Sequence, residues 1–355
     1  MSKFDSKMLD GLTPYVAGEQ PKDMKYIKLN TNENPYSPSP KVAQAINDFD
    51  CSSLKLYPDP DASELKDAIS EFYEINIENI FCGNSSDEIL AMAFMAFFSG
   101  KKIAFPDITY SFYPVWCDIF GVKKQIIPLK NDWTIDFENF AKETDGIVIC
   151  NPNAPTGIAV KRAKIEEVLQ KNPNSLVLCD EAYIDFGGES CIELTNKYDN
   201  ILVVHTLSKS RCLAGARVGF TVGNADLISS LNAIKNSFNS YTLDRLTIKI
   251  ASAAIRDKDY FENCRQKVIG TRNIAVLQLR QIGFEVLDSS ANFIFASPPK
   301  NIISAQNLYK KLKENGVLVR FWNKERISDW VRITVGTDSE MKTLIDEIKK
   351  ILTNS

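Results

Sequence analysis

Lys209 stands in I-L-V-V-H-T-L-S-K-S-R-C-L-A-G-A-R-V-G-F, residues 201–220, where an apolar run gives way to small hydroxyl residues. Thr206 and Ser208 frame the amine, and Arg217 follows eight positions later. That set suits a phosphorylated aldehyde: the amine forms a Schiff base, while hydroxyls and the guanidinium hold the phosphate. A lysine after a strand is by itself ordinarily solvated, so the assignment depends on its companions.

Asp180 ends the run L-V-L-C-D and precedes E-A-Y. Alone, such a residue caps a turn. Beside Lys209, its carboxylate would pair with the protonated ring nitrogen of pyridoxal 5'-phosphate and keep the ring an electron sink. Tyr183 could then place its hydroxyl near the phenolic oxygen. G-N-S-S-D-E, residues 83–88, opens a helix with Asn84, Ser85 and Ser86. It reads either as plain capping or as a phosphate seat on free N–H groups at the positive end of the dipole. Asp87 is adverse to an anion there, and must turn away or cap. N-P-N-A-P-T-G, residues 151–157, is a rigid turn that could hold Asn153 against a ring. Tyr110, in I-T-Y-S-F-Y-P, is either core or a stacking partner. Arg320 in V-L-V-R-F-W and Arg332 in W-V-R-I-T-V-G-T sit in strand-like runs and need anions, from a protein carboxylate or from a substrate.

Other chemistries lack support. His205 is the lone histidine, reads as structural, and leaves neither a metal site nor a Ser-His-Asp triad; no G-x-G-x-x-G occurs. The net charge of -3 gives no case for nucleic acid or an anionic membrane. Eight scattered cysteines without a C-x-x-C pair argue for reduced thiols in a cytoplasmic protein. The opening M-S-K-F-D-S-K-M-L-D has no apolar h-region, so no secretory leader is expected. The longest apolar run, 89–98, is about half of a membrane span.

The elements that must position these residues follow from the pattern. Residues 1–40 are rich in Pro, Asn and Tyr and predict a loop with extended pieces. Short apolar runs at 80–83, 102–105, 124–128, 146–150, 176–179, 201–204 and 218–222, several separated by helical patterns, predict a mostly parallel sheet covered on both faces. Ligands collect at the carboxyl ends of such strands. Capping-box spacings predict helix starts at Asp61 with Glu64 and at Thr337 with Glu340. Long helices over 243–255 and 260–282 precede strands at 284–287, 293–296, 317–320 and 331–334 and a last helix, which together read as a smaller α+β domain. The expected division is a large domain over 41–270 and a small one built from 271–355 with 1–40 as an N-terminal arm.

With these pieces together, the chain resembles fold-type I pyridoxal-phosphate enzymes. T-L-S-K-S-R-C-L-A-G-A-R-V-G resembles the class I/II aminotransferase lysine motif, and D-E-A-Y and N-P-N-A-P-T-G lie in the family's order. L-T-P-Y-V-A-G, L-N-T-N-E-N-P, L-Y-P-D-P, G-N-S-S-D-E and V-R-I-T-V-G-T are similar to the histidinol-phosphate aminotransferase branch. The resemblance implies that Lys209 carries the cofactor and shuttles the substrate proton, Asp180 pairs with the ring nitrogen, Tyr183 bonds the phenolic oxygen and Tyr110 stacks. It implies that Ser85, Ser86, Thr206, Ser208 and Arg217 hold the phosphate, with Tyr57 reaching across a homodimer. Tyr15, Asn32, Arg320 and Arg332 would face the substrates, histidinol phosphate and the glutamate/2-oxoglutarate pair. Related aminotransferases of aromatic or other phosphorylated amines, and phospho-amino-acid decarboxylases, share this scaffold; a non-catalytic regulator half would lack turnover. Two positions depart from the family: Ala154 replaces the asparagine that touches the phenolic oxygen, leaving that task to Asn153, a water or Tyr183 alone, and Ser85 replaces a common glycine.

Overall fold

A computed structural model describes residues 2–140 and 144–354. Seven strands form the main sheet: β1 (Ile80–Asn84), β2 (Lys102–Pro106), β3 (Lys123–Ile127), β4 (Gly146–Cys150), β5 (Leu176–Asp180), β6 (Ile201–Thr206) and β7 (Val218–Gly223). Their spatial order is β1-β7-β6-β5-β4-β2-β3. Pairings from β3 through β6 are parallel, and β7 runs antiparallel to both β6 and β1.

The continuous apolar runs have a physical cause: both faces of the sheet are covered. Ile147 and Ile149 of β4 join one core cluster, whereas Val148 and Cys150 join the other. A side-chain period of two thus feeds two cores, so no position in the strand can be polar.

A second, antiparallel sheet contains β8 (Glu285–Val286), β9 (Phe293–Ser297), β10 (Arg320–Phe321) and β11 (Val331–Thr334), in the order β10-β11-β9-β8. Its core also takes Leu29, and Ile27–Lys28 pairs in parallel with Val317–Leu318. The N-terminal segment is therefore stitched to the C-terminal third of the chain. The division expected at residue 270 falls inside the 24-residue helix Lys258–Gln281, so no loop marks it.

Of the two expected capping boxes, only the second forms. Thr337 and Glu340 cap helix Asp338–Thr353 reciprocally. Helix Ser63–Tyr73 instead starts after Ala62, which is left-handed at φ 50, and the Asp59 carboxylate accepts from the Ser63 nitrogen in place of Asp61. A left-handed residue redirects the chain there, which a spacing rule does not register. The apolar helix expected to run to residue 98 is α-helical over Ser85–Ala93 and widens to a π-helical turn over Phe94–Phe98. No helix among the described residues is long and apolar enough to cross a membrane.

Candidate active site

The carboxyl ends of the parallel strands converge on one edge. Cys150 of β4 pairs with Asp180 of β5, which pairs in turn with Val204 of β6. The chain leaving β4 supplies Asn153; that leaving β5 supplies Tyr183; that leaving β6 supplies Ser208 and Lys209. Tyr110 and Tyr113 lie in the segment after β2. This is the crevice that parallel sheets offer to ligands.

Lys209 is partly buried, its Nζ sits 5.7 Å from the centroid of the Tyr183 ring, and its backbone carbonyl accepts from Asn34 Nδ2 at 2.9 Å. Burial is the main force lowering its pKa, to about 8, with the Arg332 guanidinium adding to it; Glu33 and Asp87 act in the opposite direction. Arg332 outweighs Arg217, the neighbour the sequence pointed to, because the second sheet swings its β11 arginine over the site. The amine of the cofactor-free protein should therefore react with an aldehyde at a rate that rises with pH around a midpoint near 8. Below that pH the ammonium holds the proton and cannot attack. Stopped-flow rates of aldehyde uptake between pH 6 and 10 check this; a midpoint near the ordinary lysine value would remove burial as the activating cause.

Asp180 is 3% exposed. Its Oδ2 accepts from Tyr113 Oη at 2.8 Å and its Oδ1 from the Ala182 nitrogen at 3.3 Å. Burial pushes the carboxyl up to about 6, and the Tyr113 hydrogen bond pulls the other way. A buried acid with this little support is poised for a cation. Tyr113 is fully buried. Its place three residues after Tyr110, at the start of a helix, is the signal in the sequence that points to it.

The anion seat gathers at the start of helix Ser85–Ala93. Ser85 is left-handed at φ 70, the conformation a glycine would take without strain. Gly219 of β7 has to be glycine, since a Cβ there would lie 2.6 Å from the Ser86 nitrogen. Thr206 accepts from the Ser208 nitrogen at 3.2 Å, and the buried Ser208 hydroxyl has no hydrogen-bond partner. Asp87 turns away from the helix start: its carboxylate accepts from Arg217 Nη2 at 2.9 Å and from Tyr110 Oη at 2.7 Å. One acid thereby sets both the guanidinium and the stacking ring. Asn84 points elsewhere, with its side-chain amide toward the Thr242 carbonyl at 3.5 Å. An orphaned buried hydroxyl, free helix N–H groups, a nearby guanidinium and an activated amine form a donor set that fits a phosphorylated aldehyde.

Asn153 spends its amide nitrogen on the Ile108 carbonyl and Thr156, at 2.9 and 3.2 Å, so it has no donor left to replace the amide missing at Ala154. The Tyr183 hydroxyl accepts from Asn32 Nδ2 at 3.0 Å.

Arg320 and Arg332 are cross-strand partners in β10 and β11, so their side chains leave the sheet on one face. Neither forms a salt bridge with a carboxylate among the described residues. Arg320 donates to the carbonyls of Val16 and Ala17, Arg332 to that of Asn30, and Arg332 Nε is buried without a partner. Burial lowers the Arg332 pKa. Glu19 lies close enough to act on Arg320 without a salt bridge, and the buried, unpartnered Nε of Arg332 calls for an anion from solution. Tyr15 stacks on Phe112 at 4.3 Å and lies 6.4 Å from Tyr110. Tyr57 makes no described contact with these residues. It is 77% exposed and stacks on Tyr241 at 4.7 Å, and Arg245 holds the carbonyls of Leu56 and Tyr57.

A mostly parallel sheet with this crevice, accompanied by a second, antiparallel sheet, is the architecture of a fold-type I transferase. Residues 24–348 match the family Aminotransferase class I and II, and the chain belongs to it. Histidinol-phosphate aminotransferase of Clostridium acetobutylicum is 50% identical over 353 residues, 99% of this chain and 100% of that protein. The protein of that name from Brachyspira hyodysenteriae is 51% identical over 356 residues, 100% of each chain. The solved histidinol-phosphate aminotransferase of Sinorhizobium meliloti, in complex with pyridoxal-5'-phosphate, aligns with a TM-score of 0.85 at 22% identity, covering 93% of this chain and 92% of that one. At that identity it speaks for the fold alone.

Proposed function

We propose that this aminotransferase moves the amino group between L-histidinol phosphate and 2-oxoglutarate, giving imidazole-acetol phosphate and glutamate, with pyridoxal 5'-phosphate carried on Lys209. The net flux in histidine biosynthesis runs in the opposite direction. The observation that carries the substrate reading is the cross-strand pair Arg320 and Arg332, which forms no salt bridge with a described carboxylate and whose Arg332 acts on Lys209. Its relatives of about 50% identity bear the matching name.

When bound, the cofactor supplies an aldehyde that takes up the amino group and a ring that spreads the charge left at the substrate carbon. Lys209 Nζ, lowered toward neutrality by burial, takes the proton from that carbon and returns it at the cofactor carbon. Asp180 holds the proton of the ring nitrogen, with Tyr113 fixing the carboxylate. Tyr183 donates toward the phenolic oxygen, and Tyr110 lies against the ring. Ser85, Ser86, Thr206, Ser208 and Arg217 hold the cofactor phosphate. That role requires Arg217 to turn at least partly from Asp87. Arg320 and Arg332 grip the phosphate of one substrate and a carboxylate of the other in turn, with Tyr15 closing over them.

A homodimer belongs to this reading. The Tyr57 side chain is exposed and stacked on Tyr241, with its backbone carbonyl held by Arg245, as in a residue serving a neighbouring chain's phosphate seat. The eight free cysteines suit a cytoplasmic location.

The test is a half-reaction screen on purified holoprotein, with its mass in solution read by sedimentation. Histidinol phosphate should bleach the visible band and 2-oxoglutarate should restore it. A response to phenylalanine or aspartate with none to histidinol phosphate would reassign the substrate, and release of carbon dioxide would make the chain a decarboxylase.

A further inference from the structure

Position 154 lacks the amide that would donate to the phenolic oxygen, and Asn153 has no donor to spare. One amide nevertheless reaches that end of the site by another route. Asn32, 1% exposed and left-handed at φ 59, donates from Nδ2 to the Tyr183 hydroxyl at 3.0 Å.

Its orientation is settled by its neighbours. The Asn32 nitrogen donates to Thr334 Oγ1 at 2.9 Å, so the Thr334 hydroxyl keeps its own hydrogen for Asn32 Oδ1, at 3.1 Å. That contact identifies Oδ1 as the acceptor and leaves Nδ2 as the donor to Tyr183. Asn292 Nδ2 holds the Asn32 carbonyl at 2.9 Å. The backbone nitrogen, the carbonyl and Oδ1 of Asn32 are thus engaged within the protein, and one of its two amide hydrogens is spent on Tyr183.

Tyr183 receives a hydrogen from Asn32 and spends none of its own on a described residue. A hydroxyl that accepts becomes a better donor, because successive hydrogen bonds polarise one another in a buried setting. The ring is held edge-on against Phe293 at 5.0 Å, so the hydroxyl cannot swing away from this line.

We propose that Asn32 is a positioning residue that acts through Tyr183: the chain Thr334–Asn32–Tyr183 supplies, in series, the donor strength at the cofactor's phenolic oxygen that an amide at position 154 would supply directly. This rests on the cofactor reading given under Proposed function. It gives Asn32 a task besides the substrate contact that the resemblance implies.

Donation to the phenolic oxygen stabilises its negative charge and loosens the proton shared with the Lys209 nitrogen. A weaker donor should raise the pH midpoint of the visible band of the holoprotein. Asn32→Gly suits the left-handed backbone and removes the amide. It should raise the midpoint by about 0.5 to 1 pH unit, a shift of the size one hydrogen bond produces. Thr334→Val, which leaves the amide but frees its orientation, should shift it in the same direction by less. In a Tyr183→Phe background, Asn32→Gly should add nothing.

An equal shift in the Tyr183→Phe background would show that the effect bypasses Tyr183 and overturn the inference. An unmoved midpoint with a raised KM for the amine would return Asn32 to the substrate and overturn it equally. A wild-type protein with no visible band would sink the cofactor reading, and this inference with it. A wild-type band that titrates, with variants that do not differ, would sink the inference alone.

Discussion

Lys209→Ala should lose at least about 10^4-fold in half-reaction rate while the protein stays folded, since covalent attachment and proton transfer are both removed at one atom. The fold should tolerate the change. Burial and Arg332 both act against the charged amine in the native state, and the Asn34 bond is made to the Lys209 backbone carbonyl, which alanine keeps. Removing the ammonium therefore relieves a cost, and the urea midpoint of the cofactor-free protein should hold or rise. Lys209→Arg separates charge from nucleophilicity. It preserves a cation but cannot be deprotonated at working pH, so it should be as inactive as alanine. Single-turnover kinetics with histidinol phosphate read both variants. Turnover within tenfold of wild type in either would end the assignment of Lys209 as the acting base.

Asp180→Asn carries the second large effect. The substitution keeps size and one acceptor but removes the charge that, in the proposed reading, would face the ring nitrogen. Loss of one preorganised electrostatic group costs on the order of 10^2- to 10^3-fold, about 3 to 4 kcal/mol in the barrier. Stability should move the other way. The carboxyl is pushed up to about 6 from 3.8, so between those values the native state binds more protons than the unfolded state. Stability of the cofactor-free protein accordingly falls as pH rises through that window. The asparagine variant should lack this slope and be more stable at neutral pH by on the order of 2 kcal/mol. Cofactor affinity of the wild type should weaken as pH drops below about 6, where the carboxyl is protonated, and that dependence should vanish in the variant. Denaturation of both proteins at pH 4, 5, 6 and 7 checks the sign. A wild type that gains stability across that window would show that the buried carboxylate is held by groups other than Tyr113 and the Ala182 nitrogen. Asp180→Ala is a poorer probe, because it leaves the fully buried Tyr113 hydroxyl without its acceptor at a cost of about 1–3 kcal/mol.

Arg217 and Asp87 illustrate what a local motif leaves out. Serines, a helix start and an arginine are legible as an anion seat from residue types and spacing. That Asp87 accepts from both Arg217 and Tyr110 is a contact across 130 and 23 residues of chain, and no local pattern encodes it. The same holds for Tyr113 on Asp180 and for Asn34 on the Lys209 carbonyl, at separations of 67 and 175 residues.

By itself, the order of apolar runs determined the doubly covered sheet, because a strand buried on both faces has no room for polar alternation. Residue chemistry at the strand ends determined the class of ligand, because a lysine amine, an acid and a hydroxyl-rich helix start have few joint uses. Only the tertiary structure decided what surrounds each of those groups. It brought Arg332 of the second sheet near enough to depress Lys209, placed Arg320 and Arg332 opposite each other without a salt bridge among the described residues, and joined Asn32 to the Tyr183 hydroxyl. Residue types constrain what a side chain can do, whereas burial and partners decide what it does. Those depend on strand register and on packing between segments up to 304 residues apart.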